Sequence, residues 1–143
     1  MSLIGAVAGT MAGARVSLSP TYTVSDLTIS PTNASASFSL ENDGDVARIT
    51  VTTGGGGTVD VGDWITPRSA AGAAYEARAT VNSGSLSSGT TGSWLSLSST
   101  RTWTLNQTSV GISTCELTIE IRRASTGEVL DSTIVTLEAE KAI

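Results

Sequence analysis

The stretch ASASFSLENDGDVARITVT, residues 34–52, decides the fold. In its first half Ala34, Ala36, Phe38 and Leu40 alternate with Ser35, Ser37 and Ser39; in its second, Ala47, Ile49 and Val51 alternate with Arg48, Thr50 and Thr52. A period of two with apolar residues on one side marks strands that bury one face and wet the other. Between the halves lies Asp43-Gly44, a preferred pair where a turn needs positive φ, so the stretch predicts a β-hairpin.

The same alternation recurs outward from it. In YEARATV (75–81) Tyr75, Ala77, Ala79 and Val81 share a side; in CELTIEIR (115–122) Cys115, Leu117, Ile119 and Ile121 do so; in STIVTLEAE (132–140) the inner set is Val135, Leu137 and Ala139. ASTGEVL (124–130) supplies a Gly-containing turn between the last two. The run Gly54–Gly57, SAAGAA (69–74) and NSGSLSSGTTGS (82–93) read as loops. Past residue 20 no helical period appears, so residues 31–143 are expected to form an all-β antiparallel sandwich of seven to eight strands with Ig-like or FnIII-like character. Trp64, Trp94 and Trp103 are expected as its large core or edge residues. The rival use of Trp94 and Trp103 is as a surface contact, a pair of indoles on which a sugar could stack.

Bulk composition agrees with one such domain. Ser and Thr make up roughly 30% of the 143 residues, and only 15% are charged, which suits half-exposed strands better than helices. The net charge is −5, and the seven Arg and single Lys are scattered apart from Arg122-Arg123. Duplex binding needs a clustered basic face, so nucleic acid is not expected as a partner. The lone Cys115 allows no intrachain disulfide, and its register predicts a buried structural thiol.

The N-terminal residues follow another pattern. In SLIGAVAGTMAGAR (2–15) Gly5, Gly9 and Gly13 recur every fourth residue, with Leu3, Ile4, Val7 and Met11 between them. No positive charge precedes the apolar run, as a secretory signal would require. The uncharged run from Met1 to Ala14 is also shorter than the roughly 20 residues that span a bilayer, so no membrane span is expected. Four-residue spacing places the glycines near one face of a short helix, where another backbone can approach closely. An isolated helix of this length and glycine content would not hold itself together. Residues 1–30 are therefore read as an N-terminal assembly arm and connector, with Leu3, Ile4, Gly5, Val7, Gly9, Met11 and Gly13 as its interface; the alternative is an extended strand folded back onto the sandwich. Within the connector, Tyr22, Val24 and Leu27 alternate between Pro20 and Pro31, which favours an edge or linking role.

Catalytic chemistry is not readable in this chain. There is no His, so Ser-His-Asp and Cys-His systems are ruled out within one chain. The carboxylates sit on turns or alternate with threonines, with no pattern that makes them converge. Glu41, Asp43 and Asp45 offer alternate oxygens but lack the rest of a calcium loop, and the Gly54–Gly57 run has no following Lys for a phosphate loop. No enzyme activity, cofactor or metal is expected.

The succession GDWITPRSAAGAAYEARATVNSG, GSWLSLSSTRTWTL and CELTIEIRRASTGEVLDSTIVTLEA resembles small immunoglobulin-like domains of structural proteins of tailed bacteriophages, above all tail-tip and tail-fibre proteins. The likeness spans about residues 32–140 and lies in the strand order and in the Asp-Trp-Ile, Tyr-Glu-Ala-Arg and Gly-Ser-Trp-Leu signatures. It implies a non-enzymatic virion component, in the tail rather than the capsid, that contacts other virion proteins and a host-surface receptor. Tail fibres as a family are trimers, so the resemblance also implies a homo-oligomer, with three copies as the first expectation. A capsid decoration or head-fibre protein and a carbohydrate-binding adhesion module are its rivals. The resemblance transfers no functional residue and does not reach residues 1–30.

Overall fold

The computed structural model describes residues 13–19, 25–28, 34–44, 46–53, 57–64 and 74–141. These are all strand and loop, with no helix among the described residues. In chain order the strands are β1 (Gly13–Ser19), β2 (Ser25–Thr28), β3 (Ala34–Asp43), β4 (Val46–Thr53) and β5 (Gly57–Trp64), then β6 (Tyr75–Ser83), β7 (Leu95–Ser96), β8 (Arg101–Gln107), β9 (Gly111–Arg123) and β10 (Val129–Lys141). Of these ten described strands, β3 to β10 fall in residues 31–143, where seven or eight are expected, and β1 and β2 come from the segment read as arm and connector.

They form two antiparallel sheets, one ordered β2-β1-β10-β9-β6-β7 and the other β5-β4-β3-β8. The opening stretch is the β3–β4 hairpin, paired from Asp43↔Val46 to Ala36↔Thr53. In the four-stranded sheet the meander β3-β4-β5 is joined by β8, which returns beside β3 after β6 and β7 have crossed to the other sheet. That is a Greek key.

The core lies between the sheets and follows the alternation. Phe38, Leu40, Ile49, Val51, Trp64 and Trp103 come from the four-stranded sheet, and Ala77, Ala79, Leu117, Ile119, Ile121, Val135, Leu137 and Ala139 from the six-stranded one, all 0–1% exposed. All of them belong to one buried cluster that joins the two sheets. Phe38 and Trp103 are cross-strand neighbours with ring centroids 6.1 Å apart. Cys115 is fully buried among them, and desolvation pushes its thiol above its ordinary range, as suits an inert packing residue.

The segment read as arm and connector is divided. Residues 1–12, and with them Leu3, Ile4, Gly5, Val7, Gly9 and Met11, lie outside the described residues. Gly13 opens β1, which pairs with β10 over seven rungs from Gly13↔Glu140 to Ser19↔Ile134. Ser25–Thr28 forms β2 on the sheet edge. Residues 13–19 and 25–28 are thus strands of the six-stranded sheet, built into the same body as the later strands.

Candidate surface-contact site

The six-stranded sheet turns a charged ladder outward. On β6 and β9, Glu76 stands opposite Arg122 and Arg78 opposite Glu120. The Arg122 Nε donates to Glu76 Oε1 at 2.7 Å; Arg78 donates from Nε at 3.0 Å and Nη2 at 2.8 Å to Glu120 Oε1. These side chains are 23–35% exposed, so each pair is partly shielded from water. Two steps of the alternation beyond Arg78, Asn82 Nδ2 donates to Thr118 Oγ1 and Glu116 Oε2.

Trp94 completes the ladder. It precedes β7, whose Leu95 pairs with Ala77, so the indole stands beside Arg78 on the outer side. The guanidinium carbons of Arg78 and Arg122 lie 4.5 and 4.3 Å from its ring centroid. Two cations on one indole, each fixed by its own carboxylate, hold a half-buried aromatic ring in place. Trp and Arg are among the residue types enriched in the hot spots of protein interfaces.

Trp103 has a different role from Trp94. It is 1% exposed on the inner side of β8, and its Nε1 donates to the Thr90 carbonyl at 2.7 Å. The two indoles therefore do not form a paired platform. Their separation could have been read from RTWTLNQ, where Trp103 and Leu105 alternate with Thr102 and Thr104. The charged partners of Trp94 had no comparable signal, because they come from strands 16 and 28 residues away in the chain.

At the opposite end of β9 stand the exposed aliphatics Val110 and Ile112, 58% and 57% exposed. Ile112 pairs with Glu140, which also pairs with Gly13, so the chain enters the sheet two strands from this spot. Ile112 and Arg122 are ten residues apart on one strand, roughly 33 Å at strand rise. The six-stranded sheet thus exposes Val110 and Ile112 beside Glu140 and Lys141 where β1 begins, and far from them the Arg78–Trp94–Arg122 group, with the exposed Val129 paired to Arg122. Among the described residues no group of three acids or cysteines is placed to hold a metal ion. No described helix is long and apolar enough to cross a membrane.

Compared with known proteins, the chain matches no family model, no curated protein and no solved structure.

Proposed function

We propose that this chain is a non-enzymatic structural component of a tailed-phage virion, of tail-tip or tail-fibre type, that works by assembly and surface contact. The observation that supports the sandwich part of this reading is strand order. In support of it, we read the neighbours β10-β9-β6-β7 as strands G, F, C and C′ of an immunoglobulin-type sandwich, and β3 beside β8 as B beside E. The chain departs from that plan in placing the β4–β5 hairpin where strand A would stand, in adding β1 and β2 beyond G, and in having no disulfide. The virion assignment rests on the sequence resemblance at Asp63-Trp64, Tyr75-Glu76-Ala77-Arg78 and Gly92-Ser93-Trp94-Leu95, of which the last two signatures supply members of the outer ladder.

In this reading the end where β1 begins is the attachment end, with residues 2–12 as the assembly segment, and the Arg78–Trp94–Arg122 end is displayed. Load passes through main-chain ladders and no bond is made or broken. Deleting residues 2–12 while keeping Gly13 and all of β1 tests it. The expected result is a fall in oligomeric mass by light scattering and loss of incorporation into particles; unchanged mass together with unchanged incorporation would overturn the assembly role.

A further inference from the structure

The β3–β4 hairpin closes at the Asp43↔Val46 rung, and Gly44 follows Asp43 at φ 68°, where any side chain would be strained. The turn thus needs a glycine at this place. Asp43-Gly44 is also the one Asp-Gly pair of the sequence, which has no Asn-Gly. Asp43 is exposed, and its carboxylate takes part in no hydrogen bond or ion pair among the described residues. Gly44 is exposed as well: its carbonyl accepts a long 3.4 Å bond from Asn42 Nδ2, its N–H donates to no described residue, and nothing lies within 4 Å of the place a Cβ would take.

Asp131 shows the opposite arrangement. Its Oδ2 accepts from Trp64 Nε1 at 2.9 Å and its Oδ1 from the Ser132 N–H at 2.8 Å, and Ser132 is itself a rung of β10 opposite Glu120. A carboxylate held at both oxygens, followed inside a strand by a residue with a side chain, is shielded from attack. At Asp43 both reacting groups are accessible: an unheld carboxyl group, and next to it a main-chain nitrogen with no acceptor among the described residues and no side chain to crowd its approach. Exposed hairpin tips also open locally at little cost, which lets the two groups meet.

We infer that Asp43 is a self-modification site, at which the folded chain converts aspartate to isoaspartate through a succinimide formed with Gly44. The Gly44 nitrogen bonds to Asp43 Cγ, and its proton leaves with the carboxyl hydroxyl as water, closing the ring. Water then reopens the ring at Cγ, restoring aspartate, or at the former main-chain carbonyl carbon, giving isoaspartate. One water leaves and one returns, so no other reagent is consumed and the mass is unchanged. In isoaspartate the main chain runs through Cβ and Cγ and is one atom longer, with the former carbonyl now a free carboxylate. The lengthened link lies beside a tie between the sheets: the Asn42 N–H donates to the Leu97 carbonyl at 2.8 Å, and Asn42 Oδ1 accepts from the Tyr75 N–H at 3.0 Å. Tyr75 opens β6 and Leu97 follows β7, and both are buried. Extra chain next to Asn42 shifts the closing rung and loosens this tie, so the hairpin tip keeps a slow chemical record of the molecule's age.

The test ages the full folded chain at neutral pH and body temperature, beside a sample unfolded in guanidinium chloride. Isoaspartate is read by peptide mapping and by methyl transfer from labelled S-adenosylmethionine with an isoaspartyl methyltransferase. Conversion at position 43 is expected in both samples, with Asp131 unconverted in the folded one. Asp43→Glu, whose longer side chain closes no five-membered ring with Gly44, and Asp43→Ser, which has no carboxyl group, are expected to bring methyl transfer to background. Aged wild type is expected to melt below fresh wild type, whereas aged Asp43→Ser keeps its melting temperature. A folded chain that stays unmodified at position 43 over the time in which the unfolded chain converts overturns the inference, as does methyl transfer that survives both substitutions. A converted chain with an unchanged melting temperature overturns the loosening of the Asn42 tie.

Discussion

The two outward faces of the sandwich are built from different cross-strand chemistry. On the four-stranded sheet neutral hydroxyls pair, with Ser37 Oγ 2.8 Å from Thr104 Oγ1 and Ser39 Oγ 2.9 Å from Thr102 Oγ1. On the six-stranded sheet ions pair, Arg78 with Glu120 and Arg122 with Glu76, around an indole. Both are ladders of directly opposed residues, each rung contributing a few tenths to about 1 kcal/mol. The hydroxyl pairs are short-ranged and indifferent to salt, and on β3 and β4 of this face charge begins at the Glu41 and Arg48 rung, toward the hairpin end. The ionic face orders long side chains, responds to salt and offers charge to a partner. One sheet is thus suited to a passive outer wall, and the other to recognition.

The largest effect that bears on this comparison comes from beneath both faces. Trp103→Ala removes the largest buried side chain of β8 together with the indole bond to Thr90, and is expected to cost about 3–5 kcal/mol in a denaturant titration. A loss of less than 1 kcal/mol would mean that the loop 84–94 and β8 are not anchored by this ring. Next comes the ionic face: Trp94→Ala, which frees both guanidiniums, is expected to cost about 1–2 kcal/mol at low salt. Repeating the titration in about 1 M NaCl should shrink that difference, because screening weakens the ladder the indole organises. Equal loss at both salt concentrations would show that Trp94 acts by apolar packing alone. Smallest is the hydroxyl face. Thr102→Val leaves the nearly buried Ser39 hydroxyl without its partner, at a cost of about 1 kcal/mol; adding Ser39→Ala should recover most of it, with no dependence on salt. Additive losses in the double variant would remove the hydroxyl pair as an energetic unit.

How much of this was legible depends on how local each signal is. The inner and outer sides of β3, β4, β6, β9 and β10 follow from alternation, since a half-buried strand must place every second residue on the core. Cys115 to Ile121 shows this without exception, and Ala36 to Leu40 does so apart from the buried Ser39. β5 was hidden by Gly57 and Gly62 and by the bulge that breaks its register with β4. β7 is too short to have a period. Residues 84–94 read as a Ser/Gly loop, because what ties them to the fold is main-chain bonding of Ser87 and Ser88 to Thr104 and of Gly92 to Ala79, which no side-chain pattern announces. The outer site was half legible: the tryptophans attracted notice by type, but only tertiary pairing separates the caged Trp94 from the buried Trp103.

The antiparallel β1–β10 ladder makes resistance to force depend on direction. Gly13 and Glu140 form its first rung, with Lys141 just beyond. Tension that pulls Gly13 and Lys141 apart at that end loads one rung at a time and peels the strand off like a zipper. Tension between Gly13 and the far Arg122 end instead runs along the strand axes and stresses all seven rungs together in shear. A molecule held where β1 begins and tugged at its ladder of arginines is loaded in its stiff direction, whereas the same molecule pulled at both chain exits would open with little resistance.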